Sequence, residues 1–114
     1  MHIEQLLPKA EQAEAFLKAL ANKHRLMVLC ELHQGERSVG TLMDAVGLSQ
    51  SALSQHLAKL REDKLVVTRR DAQTSYYALA NDDASRVMAV LYELFCAEKP
   101  VQIPTKTQAK GNTK

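Results

Sequence analysis

At 114 residues, with 46% apolar and 25% charged side chains, the chain has the make-up of one small globular domain, short enough that pairing with a second copy would help bury apolar surface. No stretch approaches the ~18 consecutive apolar residues of a membrane span, and the start lacks a basic segment followed by an apolar run, so a cytoplasmic location is expected. A formal charge of +2 is too mild to identify a nucleic-acid partner, but residues 49–70 hold Lys59, Arg61, Lys64, Arg69 and Arg70 against only Glu62 and Asp63.

In chain order, residues 1–9 read as a lead-in and residues 10–98 as the folded domain. Residues 10–21 are rich in helix formers and set Ala13, Phe16, Leu17 and Leu20 on one stripe. Asn22 and Lys23 interrupt the pattern before a second helix over residues 24–33. Its run Leu26, Met27, Val28, Leu29, Cys30 places five successive apolar side chains around the helix, which predicts central burial. Gly35 suits the position just past a helix C-terminus.

Residues 38–65 form the stretch on which function turns. They read as two short helices hinged at Val46, Gly47 and Leu48, with Leu42, Ala45 and Val46 of the first facing inward and Gly47 free to take positive φ. Ser49 is a good N-cap for the second helix. Ala52, Leu53, His56, Leu57 and Leu60 recur on one face of it, leaving Gln50, Ser51, Ser54, Gln55 and Lys59 elsewhere. Hydroxyls and amides can both donate to and accept from base edges in a major groove, and they also reach phosphates. A helix-turn-helix presenting its second helix to double-stranded DNA fits this pattern. A plain helical hairpin in a small α domain is the alternative.

Residues 65–70 and 74–79 are β-prone segments joined by Asp71, Ala72 and Gln73, a hairpin placed as a wing beside the reading helix. Arg69, Arg70 and Gln73 are its candidate DNA contacts. Asn81, Asp82 and Asp83 cap a last helix over residues 82–97, whose Val87, Met88, Val90, Leu91, Leu94 and Phe95 cover more than one face and call for a partner. Residues 99–114 read as a disordered, slightly basic tail. The fold class is therefore mainly α with a β-hairpin wing, a homodimeric winged helix-turn-helix.

Titratable and soft residues give the remaining candidates. His2, His24, His33 and His56 lack metal-ligand spacing, so no metal site or cofactor is expected; His56, on the inward stripe, reads as a hydrogen-bonded packing residue. Cys30 and Cys96, read alone, are small apolar fillers on helix faces, although Cys96 ends its helix where solvent can reach it. They do not form a C-x-x-C pair and no Gly-rich loop accompanies them, which argues against a thiol-dependent enzyme. A winged helix that binds protein would present an apolar reading face, unlike this one.

The segments LKALANKHRLMVLCEL, LSQSALSQHLAKLREDKLVVTRRDAQTSYYAL and LYELFC resemble the ArsR family of bacterial repressors, in its sulfane-sulfur-sensing branch, over residues 15–96. The resemblance implies a cytoplasmic repressor that binds operator DNA as a dimer built from its first and last helices, here Phe16, Leu17, Leu20, Val87, Leu91 and Leu94. It further implies that Cys30 and Cys96 are a reactive pair, crosslinked by persulfides or polysulfides with loss of DNA. A metal- or arsenite-responsive ArsR-type repressor is the alternative. One such branch carries ELCVCDL where this chain reads SVGTLMDAV without a thiol; another uses paired His on the last helix, where Asp82 and Asp83 are followed by none.

Overall fold

The computed structural model describes residues 1–96; the expected tail over residues 99–114, and the last residues of the expected domain, lie outside them. The lead-in is helical. α1 (Ile3–Leu6) passes through a 3-10 turn (Leu7–Lys9) into α2 (Ala10–Leu20), because Pro8 sits in the first turn of its element, where a missing N–H costs nothing.

α3 (Lys23–His33) begins at Asn22, whose Oδ1 accepts from the backbone N–H of His24 (2.9 Å) and of Arg25 (3.1 Å). Arg25 reaches back and donates to the carbonyl oxygens of Ala19 (2.7 Å) and Lys18 (3.3 Å), satisfying the open end of α2. The five-residue apolar run is not buried all round. Val28, Leu29 and Leu32 enter the core, whereas Met27 and Cys30, one turn apart, face outward, because nothing in the single chain covers that side.

A short strand escapes a reading based on periodicity. β1 (Arg37–Ser38) pairs with a later strand, and Ser38, expected inside the next helix, instead caps α4 (Val39–Val46) by accepting from Thr41 N–H at 3.1 Å. In α4 Leu42 is buried and Val46 half-buried, but Ala45 is exposed and Met43 packs on the core in its place. Gly47 ends the helix with φ +76°, donating to the carbonyl of Met43 at 2.8 Å.

Ser49 caps α5 (Gln50–Glu62), accepting from Ala52 N–H at 3.2 Å, and Leu53, Leu57 and Leu60 are buried as their spacing predicts. β2 (Val66–Asp71) and β3 (Thr74–Leu79) form an antiparallel hairpin in which β2 is as long as expected but lies one residue later, since Asp71 pairs with Thr74 and leaves a two-residue turn in which Ala72 takes φ +57°. The sheet order is β1-β3-β2. α6 (Asp82–Phe95) starts at Asn81, which accepts from Asp83 N–H at 2.9 Å, and packs on α3 through buried Ala84 and Met88.

A Cβ on residue 47 would meet nothing within 4 Å, so the cost of substitution there is conformational alone. Gly47→Ala should lower unfolding free energy by about 1–2 kcal/mol in chemical denaturation; no loss would mean that the left-handed turn is not required.

Candidate functional site

Burial of the leucine stripe fixes which side of α5 meets solvent. Gln50, Ser51, Ser54, Gln55 and Lys59 are all exposed, together with Ala58, whose methyl leaves room for close approach. Lys59 pairs with Asp63 at 3.3 Å, one turn on, so its charge is partly engaged within the helix. The hairpin follows α5 directly and packs against it through β2, and Arg70 and Gln73 are exposed at its far end.

Arg69 is exposed beside them but is engaged within the chain. Its Nε and Nη2 donate to Glu36 Oε2 and Oε1 at 2.7 and 2.8 Å, and its guanidinium lies 4.5 Å from the centre of the Tyr76 ring. This hydrogen bonding holds the Glu36 carboxyl below its usual range and raises Arg69 further. Glu36 is a residue that sequence reasoning missed. Thirty-three positions separate it from Arg69, and no local pattern signals the pair.

His56 is half-buried, but its neighbour is a second imidazole rather than a hydrogen-bonding group: the His24 and His56 ring centres lie 5.6 Å apart at 37°. Burial first, and then the charges of Arg25 and His24, hold His56 below its ordinary 6.5. Among the described residues no three His, Cys, Asp or Glu side chains converge as a metal site, and no helix is long and apolar enough to cross a membrane.

Cys30 on α3 and Cys96, the residue that caps the C-terminus of α6, are both free and exposed, and the two helices pack together. His33 Nδ1 and Ser85 Oγ tie those helices at 2.6 Å. Cys30 lies three residues before His33 and Cys96 eleven beyond Ser85, which is ~4.5 and ~16 Å of helix axis from the tie.

Of the expected contact residues for a second copy, Phe16, Val87 and Leu91 are half-buried and Leu17 and Leu94 are more than half exposed. Leu20 is not available: it is only 4% exposed, packed within its own chain, because α2 turns that residue onto α3. Val90 and Phe95 add exposed apolar surface that the sequence reading left out of the interface. Between α2 and α6 runs an open groove of about 680 Å³, floored by Phe16, Val87 and Val90.

Residues 22–68, from the cap of α3 into β2, match the family described as bacterial regulatory protein, arsR family. The transcriptional activator HlyU of Vibrio cholerae is 45% identical over 96 residues, 84% of this chain and 89% of its own. The protein belongs to the ArsR family. Reduced HlyU from Vibrio cholerae has the same winged helix-turn-helix fold, with a TM-score of 0.77 over 82% of this chain and 99% of that one at 45% identity. The transcriptional repressor BigR from Xylella fastidiosa aligns with a TM-score of 0.81 at 39% identity, covering 86% and 100% of the two chains. A homodimeric winged helix-turn-helix DNA-binding domain from Mycobacterium bovis gives 0.69 at 34% identity, over 76% and 81%. These ArsR-family relatives are transcriptional regulators, not enzymes.

The His56 environment sets a pH response in this ArsR-family protein. The unfolded chain takes up a proton near 6.5 that the folded protein resists, so this contribution to stability is complete above 6.5 and declines as pH falls through that value. His56→Gln should flatten the decline of the thermal midpoint with falling pH; an unchanged profile would contradict this cause.

Proposed function

We propose that the chain is a dimeric transcriptional repressor that grips operator DNA with α5 and the wing, and that Cys30 and Cys96 sense sulfane sulfur and release the DNA when crosslinked. The observation that carries the reading is the placement of two free, exposed thiols on α3 and α6, helices packed together and away from the polar face of α5. The homodimeric relative and the exposed Leu17 and Leu94 support pairing of two chains through α2 and α6.

The chemistry balances with sulfane sulfur as the oxidant. The Cys30 thiolate attacks an inner sulfur of a polysulfide, forms an S–S bond and expels the shorter polysulfide, leaving a chain of two sulfane sulfurs on Cys30. The Cys96 thiolate then attacks the transferred sulfur bonded to Cys30 Sγ and expels the terminal one as hydrosulfide, so two thiols are oxidised, one sulfane sulfur is reduced and one stays in the bridge. A direct disulfide needs Cα atoms ~4.4–6.8 Å apart. Inserted sulfurs relax that limit.

Crosslinking reties α6 to α3 and, through the paired chains, changes the separation of the two α5 helices. Half-sites lie ~34–36 Å apart on one face of DNA, so a change in that pitch weakens both engagements together. HlyU is named an activator and BigR a repressor, so loss of DNA, rather than the sign of regulation, is the property to measure.

Cys30→Ser should bind a duplex selected by the wild-type protein as tightly as wild type and stay bound under polysulfide; release at the wild-type dose would sink the sensing role. On the reading face, Gln55→Ala should cost ~1–3 kcal/mol of binding and relax sequence preference. Arg70→Ala should weaken binding to all sequences and reduce the slope of log affinity against log salt by about 1, as measured by fluorescence anisotropy.

A further inference from the structure

We infer that Glu36 is a positioning residue for DNA binding: it holds Arg69 away from the phosphates and uses it to fix the wing against the helix-turn-helix, an inference that rests on the DNA-binding reading above. In the sheet, Arg69 of β2 stands opposite Tyr76 of β3, and Tyr76 stands opposite Ser38 of β1. Arg69 crosses that row, lies over the Tyr76 ring at 4.5 Å and meets Glu36, two residues ahead of Ser38. The clasp therefore spans the whole sheet.

Its two ends matter. Ser38 is the cap of α4, so the Glu36 side of the clasp is continuous with the first helix of the helix-turn-helix. Arg69 belongs to the outer strand of the hairpin, which has no backbone pairing with β1. β1 itself joins the sheet only through Arg37 and Ser38, and Arg37 is braced on α3 by Glu31 at 3.0 Å. The wing also packs on α5 through β2 and on α3 and α4 through β3, and a forked ion pair stacked on an aromatic ring adds direction to those contacts.

The clasp also decides which cation is left for DNA. Both carboxylate oxygens of Glu36 are taken by the Arg69 fork, whereas the next residue, Arg70, points to the other face of the strand and makes none of the ion pairs among the described residues. An exposed ion pair contributes little to global stability. Its effect belongs in the orientation of the wing.

The test compares wild type, Glu36→Ala, Arg69→Ala, Arg69→Lys and the double variant Glu36→Ala/Arg69→Ala, using a labelled duplex selected from a random pool by the wild-type protein. Glu36→Ala and Arg69→Ala should each weaken binding about tenfold. The double variant should be no weaker than either single one, because they break one device. Arg69→Lys, which keeps the charge but loses the fork, should be as weak as Arg69→Ala. The salt slope and thermal midpoint should match wild type throughout. Tighter binding by Glu36→Ala, full binding by Arg69→Lys, or a salt slope lowered by about 1 in Arg69→Ala would each make Arg69 a phosphate contact and overturn the inference. Failure of the wild-type protein to bind any duplex would overturn the DNA-binding reading, and this inference with it.

Discussion

The seating of α5 by Leu53, Leu57 and Leu60 is the constraint on which the rest of the structure depends. Each is almost wholly withdrawn from water, and burial of such a side chain is worth about 1.5–3 kcal/mol. Successive helix positions turn by about 100°, so moving any other face inward would expose all three leucines at once. The polar stripe from Gln50 to Lys59 is thereby fixed outward without any of its own side chains being needed for folding. Gly47 and Ser49 set the angle at which the helix begins, one by a left-handed backbone and the other by its hydroxyl cap.

A second constraint comes from what the single chain leaves uncovered. α2 and α6 present Leu17, Val90, Leu94 and Phe95 to solvent beside an open apolar groove, which a domain of this size gains by covering. Pairing two chains there, as we propose, would set two α5 helices at a fixed pitch and place the helix that bears Cys96 at the joint. Thiol chemistry then acts far from the DNA through α6 and its contact with α3, not by touching the reading face. The Glu36–Arg69 clasp, in the role inferred for it, serves the same end by holding the wing's direction.

Much of this was legible in the sequence because the elements announce themselves by period. The leucine stripe of α5, its Ser49 cap, the Gly47 turn and the β2–β3 hairpin all follow from local pattern, as does the polar outward face. What escaped depends on contacts across the chain. β1 is two residues long and exists only because β3 is there to pair with it. Arg69 looked like a free cation until the fold brought Glu36 to it, and His56 looked ready for a hydrogen bond until the fold set His24 beside it. Spacing also cannot say which chain covers an apolar face, and so Leu20 shares the stripe of Phe16 and Leu17 although α3 buries it at home. For the same reason the run around Val28 suggested burial on every side, while Met27 and Cys30 remain outside.

In the proposed function two reading helices are held at a pitch that thiol chemistry alters. The most direct measurement is the distance between the two Ser54 positions of paired chains, by pulsed dipolar spectroscopy with labels attached through a chemistry that spares Cys30 and Cys96. In the reduced protein a single distance near ~34–36 Å, the spacing of successive major grooves, is predicted, and polysulfide should move or broaden it. A reduced protein with no distance between chains, or one whose distance is the same before and after polysulfide, would contradict the account.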